Sequence, residues 1–416
     1  MGIQRRALLG ALAAGGLAGG GLAAGGLGAP AVAQGLPRVK IGVLADFSGL
    51  YNDLMGMPGV ECARQAVTDF NPRGRGFEAE IVYGDHQNKP DVGGAIVRNW
   101  FDSEGVDMLV AGPNSAVGLA VSFIAKEKNK VCMGAAVTAS EFTGKDCTPN
   151  TVNWTYDAYM LSKAVAAEIT KGGGKSWYFI SSDNAFGASL QAETAGFVAQ
   201  AGGRVLGSSK APLGTMDFSA MLLAAKASGA EVLALAVGGA DMINCLKQAA
   251  EFGLRGSMRI AALVTFLGDI HGAGLDAMQG LLFTNSFYWD LNERTRAFTQ
   301  RVLPRLGGVY PGMTHAGCYG ITMHYLRTVA AMGAAEARRD GAATVARMKA
   351  IPVDDDAFGS GSIRADGRAV IPAYLLQVKK PGDSRRAWDY CNVVSTLAPE
   401  ETVRPLAQVG CPFVKA

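Results

Sequence analysis

Short apolar runs alternate along the chain with stretches whose apolar positions recur at helical spacing. Residues 39–44 form the first run, and within 59–70 Val60, Ala63, Val67 and Phe70 share one helical face. The rhythm continues with a strand at 80–83, a helix at 90–102, a strand at 108–111, a helix at 115–126 and a strand at 130–135. A second round opens at Trp177-Tyr178-Phe179-Ile180. It predicts helix 187–201, strand 203–207, helix 218–228, strand 231–236, helix 241–252 and strand 259–263. Further on come a strand-like run at 280–287, helices at 292–305, 315–332 and 340–350, and a strand pair around 361–378. Strands alternating with amphipathic helices predict parallel sheets with crossover helices. The two rounds predict two doubly wound α/β lobes without clear sequence repetition.

The first 33 residues break this rhythm. They carry Arg5 and Arg6, no acidic residue, a Gly/Ala/Leu run and a terminal Ala31-Val32-Ala33. That is the layout of an export signal, and Arg5-Arg6-Ala7-Leu8-Leu9 resembles the twin-arginine form. Glycines interrupt the run too often for a membrane anchor, which needs ~20 strongly apolar residues. The remaining ~380 residues exceed what one compact core holds, in keeping with two lobes. Without the two arginines the formal charge falls from +3 to +1. This offers no electrostatic footprint for nucleic acid or a membrane surface. The predicted location is the periplasm, with the signal removed.

Ligands of open α/β sheets bind beyond the carboxyl ends of the strands. The loops there are Asp46–Tyr51, Gly112–Ser115, Ala136–Ser140, Ser182–Gly187 and Gly238–Asp241. They are rich in small residues, hydroxyls and amides ahead of helices, where unpaired N–H groups suit a carboxylate. Ser115 and Thr138 are the first candidates. Ser115 is equally placed to be a plain helix cap. No catalytic pattern appears. His86, His271, His315 and His324 form no metal motif, and Gly172-Gly173-Gly174-Lys175 lacks phosphate-loop spacing. His315 beside Cys318 and Tyr319 reads as structural, Phe287-Tyr288-Trp289 as core or hinge packing, and Asp354-Asp355-Asp356 as a solvated turn. Neither cofactor nor metal is expected, and the chain does not read as an enzyme.

Taken in order, several segments carry a resemblance. They are Ile41–Leu44 with Ser48–Tyr51, Gly112–Ser115, Ala136–Thr143 and Asp183–Gly187. Over nearly its full mature length the chain resembles the branched-chain amino-acid-type periplasmic binding proteins of ABC importers. Segments such as Asp85–Asp91, Arg364–Arg368 and Gly410-Cys411-Pro412 are similar to one proteobacterial branch. The resemblance implies a type I periplasmic binding fold, with two lobes joined by three crossover segments and ligand held between them. Lobe one would comprise 34–155 plus 285–358, lobe two 156–284 plus 359–390, and 391–416 a tail packing on both. A monomer is expected, with a small-molecule carboxylate as ligand and permease subunits as partners.

By analogy the ligand carboxylate would meet Ser115 and the Ala136-Val137-Thr138 loop, Thr138 offering both N–H and hydroxyl, with Phe186 closing from lobe two. Tyr51, Asn114, Tyr156, Asp241, Leu263 and Phe266 complete the implied set. Departures from the family pattern bear on the cargo. The acid that grips an ammonium group in leucine binders is replaced around Leu263, where no acid precedes Asp269. A desolvated ammonium without a counter-charge is costly. Gly239-Ala240 replaces an aromatic and is expected to widen the cleft. The sequence therefore points to an apolar or aromatic carboxylate. A branched-chain amino acid with Asp241 as ammonium partner is the alternative, and a sensor module or a secreted enzyme are more distant ones. Of seven cysteines, Cys147 and Cys411 are the first choice for a disulfide, with Cys132–Cys147 and Cys391–Cys411 as rivals.

Overall fold

The computed structural model describes residues 35–414, so the predicted export signal lies outside the described residues. Five parallel strands form the first sheet: β1 Arg38–Ala45, β2 Glu78–Asp85, β3 Met108–Ala111, β4 Val131–Gly134 and β5 Thr151–Asn153. Their order is β2-β1-β3-β4-β5. Helices α1 Gly56–Phe70, α2 Pro90–Asn99 and α3 Ser115–Glu127 make the crossovers. Both faces of β3 and β4 are buried, which is why they read as continuous apolar runs rather than alternating ones.

Helix α4 Ala158–Lys171 leads into a second parallel sheet. It holds β6 Ser176–Ser182, β7 Arg204–Ala211, β8 Val232–Ala236 and β9 Arg259–Ala262, in the order β7-β6-β8-β9. Between them run α5 Ala185–Gln200, α6 Ser219–Ala227 and α7 Ala240–Glu251, and α8 Leu267–Ala273 and α9 Leu275–Met278 follow. The sequence pattern left α4 unassigned. Most of its residues are buried, so it lacks the polar stripe that marks an amphipathic helix.

Strand β10 Leu282–Asn285 is followed by α10 Glu293–Val302, α11 Met313–Met332, α12 Ala334–Arg339 and α13 Gly341–Ala350. The last strands are β11 Val353–Asp355, β12 Gly359–Ile363, β13 Ala369–Val370, β14 Ala373–Val378 and β15 Cys391–Leu397. β11, β12 and β13 form a small antiparallel sheet, and β10, β14 and β15 another. Two assignments from sequence change here. Residues 359–371 were expected with the second lobe, yet they pair with β11, and Arg368 bridges to Asn153 of the first sheet. Residues 391–397 were expected as tail, yet they form the edge strand β15.

The reading of the acidic run 354–356 is also revised. Asp354 and Asp356 are not simply solvated, because Arg294 pairs with both and Arg301 with Asp356. Asp355 between them is buried and accepts the N–H groups of Ala357 and Phe358. The phenol of Tyr288 and the indole of Trp289 both donate to the Trp388 carbonyl. Cys147 and Cys411 are joined in a disulfide, and the other five cysteines are buried thiols. Among the described residues no helix is long and apolar enough to cross a membrane.

Candidate functional site

The carboxyl ends of the two parallel sheets face one cavity. Its first-lobe wall is Tyr51, Leu54, Pro113, Asn114, Ser115, Ala136 and Thr138, and its other wall is Tyr156, Asn184, Phe186, Gly238, Val264 and Phe266. Eight of the eleven ligand-contact residues expected from sequence therefore meet here: Tyr51, Asn114, Ser115, Ala136, Thr138, Tyr156, Phe186 and Phe266.

The other three do not line it. Val137 is buried in the first-lobe core, where Gly118 leaves room for its side chain. Leu263 is buried in the second-lobe core. Ala136 and Thr138 face the cavity while Val137 turns away, and Val264 and Phe266 face it with Leu263 behind. Asp241 lies in the first turn of α7 and turns towards the β7–α6 loop, where its Oδ2 accepts Gly214 N–H at 3.0 Å.

Asn114, not Ser115, caps α3: its side-chain oxygen accepts the N–H groups of Ala116 and Val117. This releases Ser115 for another task. Its Oγ accepts Thr138 N–H and Ala139 N–H, each at 3.1 Å, tying the loop after β4 onto the start of α3. The Thr138 N–H expected to meet the ligand is thus already engaged, and its hydroxyl lies at the cavity beside the Tyr156 phenol. Asn184 caps α5 through Gly187 N–H at 3.1 Å. Gly187 is required there, because a Cβ would come within 2.1 Å of the Ser182 carbonyl oxygen. Two helix N-termini, of α3 and α5, therefore reach the cavity from opposite walls, each presenting partial positive charge.

Gly239 has φ 59° and packs under the other lobe: a Cβ would sit 3.0 Å from Leu50 O and beside the Tyr51 ring. Gly239 therefore does not widen the ligand space as expected; it admits the first-lobe loop. The missed contacts Pro113, Asn184 and Gly238 lie inside loops the strand-end rule had marked. Neither Val264, in the bend after β9, nor Leu54, in the short turn Asn52–Leu54, had a sequence signal.

None of the thirteen lining residues is acidic, basic or histidine. The titratable groups at the wall are the phenols of Tyr51 and Tyr156, whose pKa values burial pushes well above the ordinary range. Phe266 packs against Tyr156 with ring centroids 5.9 Å apart. Behind it Asp269 is buried, and its Oδ2 accepts Phe266 N–H at 2.8 Å. Burial pushes this carboxyl up to about 7, against the opposing effect of that bond. A carboxyl raised on folding favours the native state while protonated, below about pH 4, and that contribution is lost as pH rises to about 7. Asp269→Asn keeps an acceptor for Phe266 N–H without the charge. Urea denaturation of the two proteins from pH 4 to 8 should show a flatter pH dependence for the variant; identical slopes would contradict the assignment. His315, at the start of α11, is buried, accepts Gly312 N–H through Nδ1, and has its pKa lowered by burial to about 4. It lies outside the cavity lining.

Two α/β lobes with an uncharged cavity between their strand ends define a two-lobed solute-binding protein of the type I periplasmic class. The chain belongs to the periplasmic binding protein family, whose model matches residues 38–383. A periplasmic binding protein from Burkholderia mallei is 39% identical, with TM-score 0.87 over 91% of this chain and 99% of that one. A structure described as a branched-chain amino acid ABC transporter periplasmic ligand-binding protein from Burkholderia xenovorans LB400 is 36% identical. It has TM-score 0.79 over 90% of this chain and 99% of that one. The "Leu/Ile/Val-binding protein homolog 6" of Brucella melitensis is 29% identical over 225 residues, 53% of this chain. The match spans only 56% of that curated relative's length. The relatives are described as binding proteins, one of them as the ligand-binding protein of an ABC transporter.

Proposed function

We propose that the protein captures a small apolar or aromatic carboxylate between its two lobes in the periplasm and delivers it to an ABC permease. The observation that carries this reading is the absence of any charged side chain among the cavity-lining residues. A carboxylate needs no cation there, since the N-termini of α3 and α5 and the hydroxyls of Ser115 and Thr138 favour negative charge. An ammonium group would have no counter-charge at the wall and would lose its hydration. Leu54, Tyr156, Phe186, Val264 and Phe266 supply the apolar and aromatic surface. Ligand bridging both walls would favour the closed arrangement through its better fit to it. The Arg5-Arg6 segment supports export by the twin-arginine route.

A branched-chain amino acid is the second reading, favoured by the description of the relative that is 36% identical. A thermal-shift panel of leucine, isoleucine, valine, 4-methyl-2-oxopentanoate, benzoate and phenylacetate separates the two. A ligand at 100 times its Kd stabilises by about 2.7 kcal/mol. Stabilisation by the amine-free carboxylates is expected; stabilisation by leucine or valine alone would overturn the first reading. Asp241→Asn should leave affinity for the amine-free acids within about twofold, since its carboxylate serves Gly214. A large loss confined to amino acids would instead make Asp241 their ammonium partner.

A further inference from the structure

The C-terminal segment makes a fourth link between the lobes, separate from the three crossings. It leaves β15 in the sheet that also holds β10 and β14. Lys163 Nζ of α4 then donates to Glu401 O at 2.9 Å, and Thr402 Oγ1 donates to Ile371 O at 3.3 Å. The Arg404 guanidinium pairs with Glu193 of α5 and lies over the Tyr159 ring, 5.0 Å from its centroid. The Arg404 carbonyl accepts Arg364 Nη1 at 2.6 Å. Finally Cys411 is bonded to Cys147. Cys147 belongs to the first lobe, downstream of the loop that carries Ala136 and Thr138.

Glu193 has a second partner across the lobe boundary. Ser140 Oγ donates to Glu193 Oε1 at 2.8 Å, and Ser140 N–H donates to Ser189 Oγ at 3.0 Å. Ser140 stands two residues past Thr138 in that same loop. One α5 carboxylate therefore holds the first lobe's ligand loop and the tail together.

Resting on the lobe-closure reading above, we propose that the disulfide-tethered tail is a closure strap. Glu193 is its positioning residue: clamped by Arg404, it holds Ser140 and slows ligand release. To open, the lobes must break the Ser140 bonds to α5. The segment between Arg404 and Cys411 is anchored at both ends, to α5 by an ion pair and to the first lobe by a covalent bond. Opening must therefore extend that short segment or pull Arg404 off Glu193. Glu193 is largely buried; desolvation raises its pKa, and the bonds from Ser140 and Arg404 oppose that rise. Without Arg404 the carboxylate has less reason to stay charged and aligned with Ser140. The residues are positioned to act on release rather than on ligand recognition, because none of them lines the cavity.

The test compares wild type with Glu193→Gln, Arg404→Ala, Arg404→Lys and the Cys147→Ser/Cys411→Ser pair. Ligand-free small-angle X-ray scattering measures opening, and stopped-flow measures release of benzoate and of leucine. Arg404→Ala and Glu193→Gln should speed release about tenfold, the loss of one charge-assisted bond, while association changes by less than about twofold. Arg404→Lys should recover part of the effect, and the three disrupting variants should show a larger radius of gyration. Unchanged release and unchanged radius in all three would overturn the strap. Should the cysteine pair fail to fold, Arg404→Ala decides with the disulfide intact. Should neither benzoate nor leucine bind any protein, the radius still decides the strap, and the failure belongs to the ligand assignment.

Discussion

Replacing Arg368 with leucine is expected to destabilise the protein by about 3–5 kcal/mol, the cost of removing one partner of a buried ion pair. Arg368 is only 1% exposed. Its Nε donates to Asp157 Oδ2 at 2.9 Å, and its Nη1 donates to Trp154 O at 2.8 Å, Ala369 O at 2.9 Å and Asn153 O at 3.3 Å. Asp157 in turn caps α4 by accepting Met160 N–H at 2.8 Å. One guanidinium thus fastens residues 153–157, between β5 and α4, to the β12–β13 strand pair. Its loss leaves a buried carboxylate unpaired and several carbonyls unsatisfied. Arg368→Leu/Asp157→Ser removes the stranded charge and keeps a cap, so it should recover part of the loss. Urea denaturation at pH 7 measures both. A loss below about 1 kcal/mol for the single variant would contradict the assignment.

The second large effect is on binding. Ser115→Ala should lower affinity for the best carboxylate in the panel by about 10- to 100-fold. The serine hydroxyl faces the cavity and also holds Thr138 N–H and Ala139 N–H. Alanine removes a donor to the ligand and frees the loop that presents the Thr138 hydroxyl. Isothermal titration should show weaker binding together with a lower melting temperature, because two buried N–H groups lose their acceptor. Weaker binding at unchanged melting temperature would mean that the hydroxyl serves only the ligand. Unchanged affinity would remove Ser115 from the site.

Much of this was legible without coordinates. Runs such as Met108–Ala111 and Val232–Ala236 are apolar throughout because helices cover both faces of a parallel sheet, and helical spacing marked most crossovers between them. Ligand loops follow from strand ends, whereas the strand orders came only with the structure. Helix α4 escaped because burial on nearly all sides erases the periodicity that reveals a helix. The strand β15 escaped because an edge strand that is exposed along most of its length has no apolar run to show.

The sequence by itself determined the two-lobed α/β architecture and the loops that meet at the site. These depend on local periodicity and composition, which neighbours in the chain carry. Only the tertiary structure decided that Val264 and not Leu263 faces the cavity, that Asp241 serves Gly214, and that Gly239 makes room for Leu50 and Tyr51. It also decided that Arg368 is buried against Asp157 and that, among the rival pairings, Cys411 meets Cys147, 264 residues away. Each of these is set by a partner remote in sequence, and no local pattern encodes which remote group a side chain will meet.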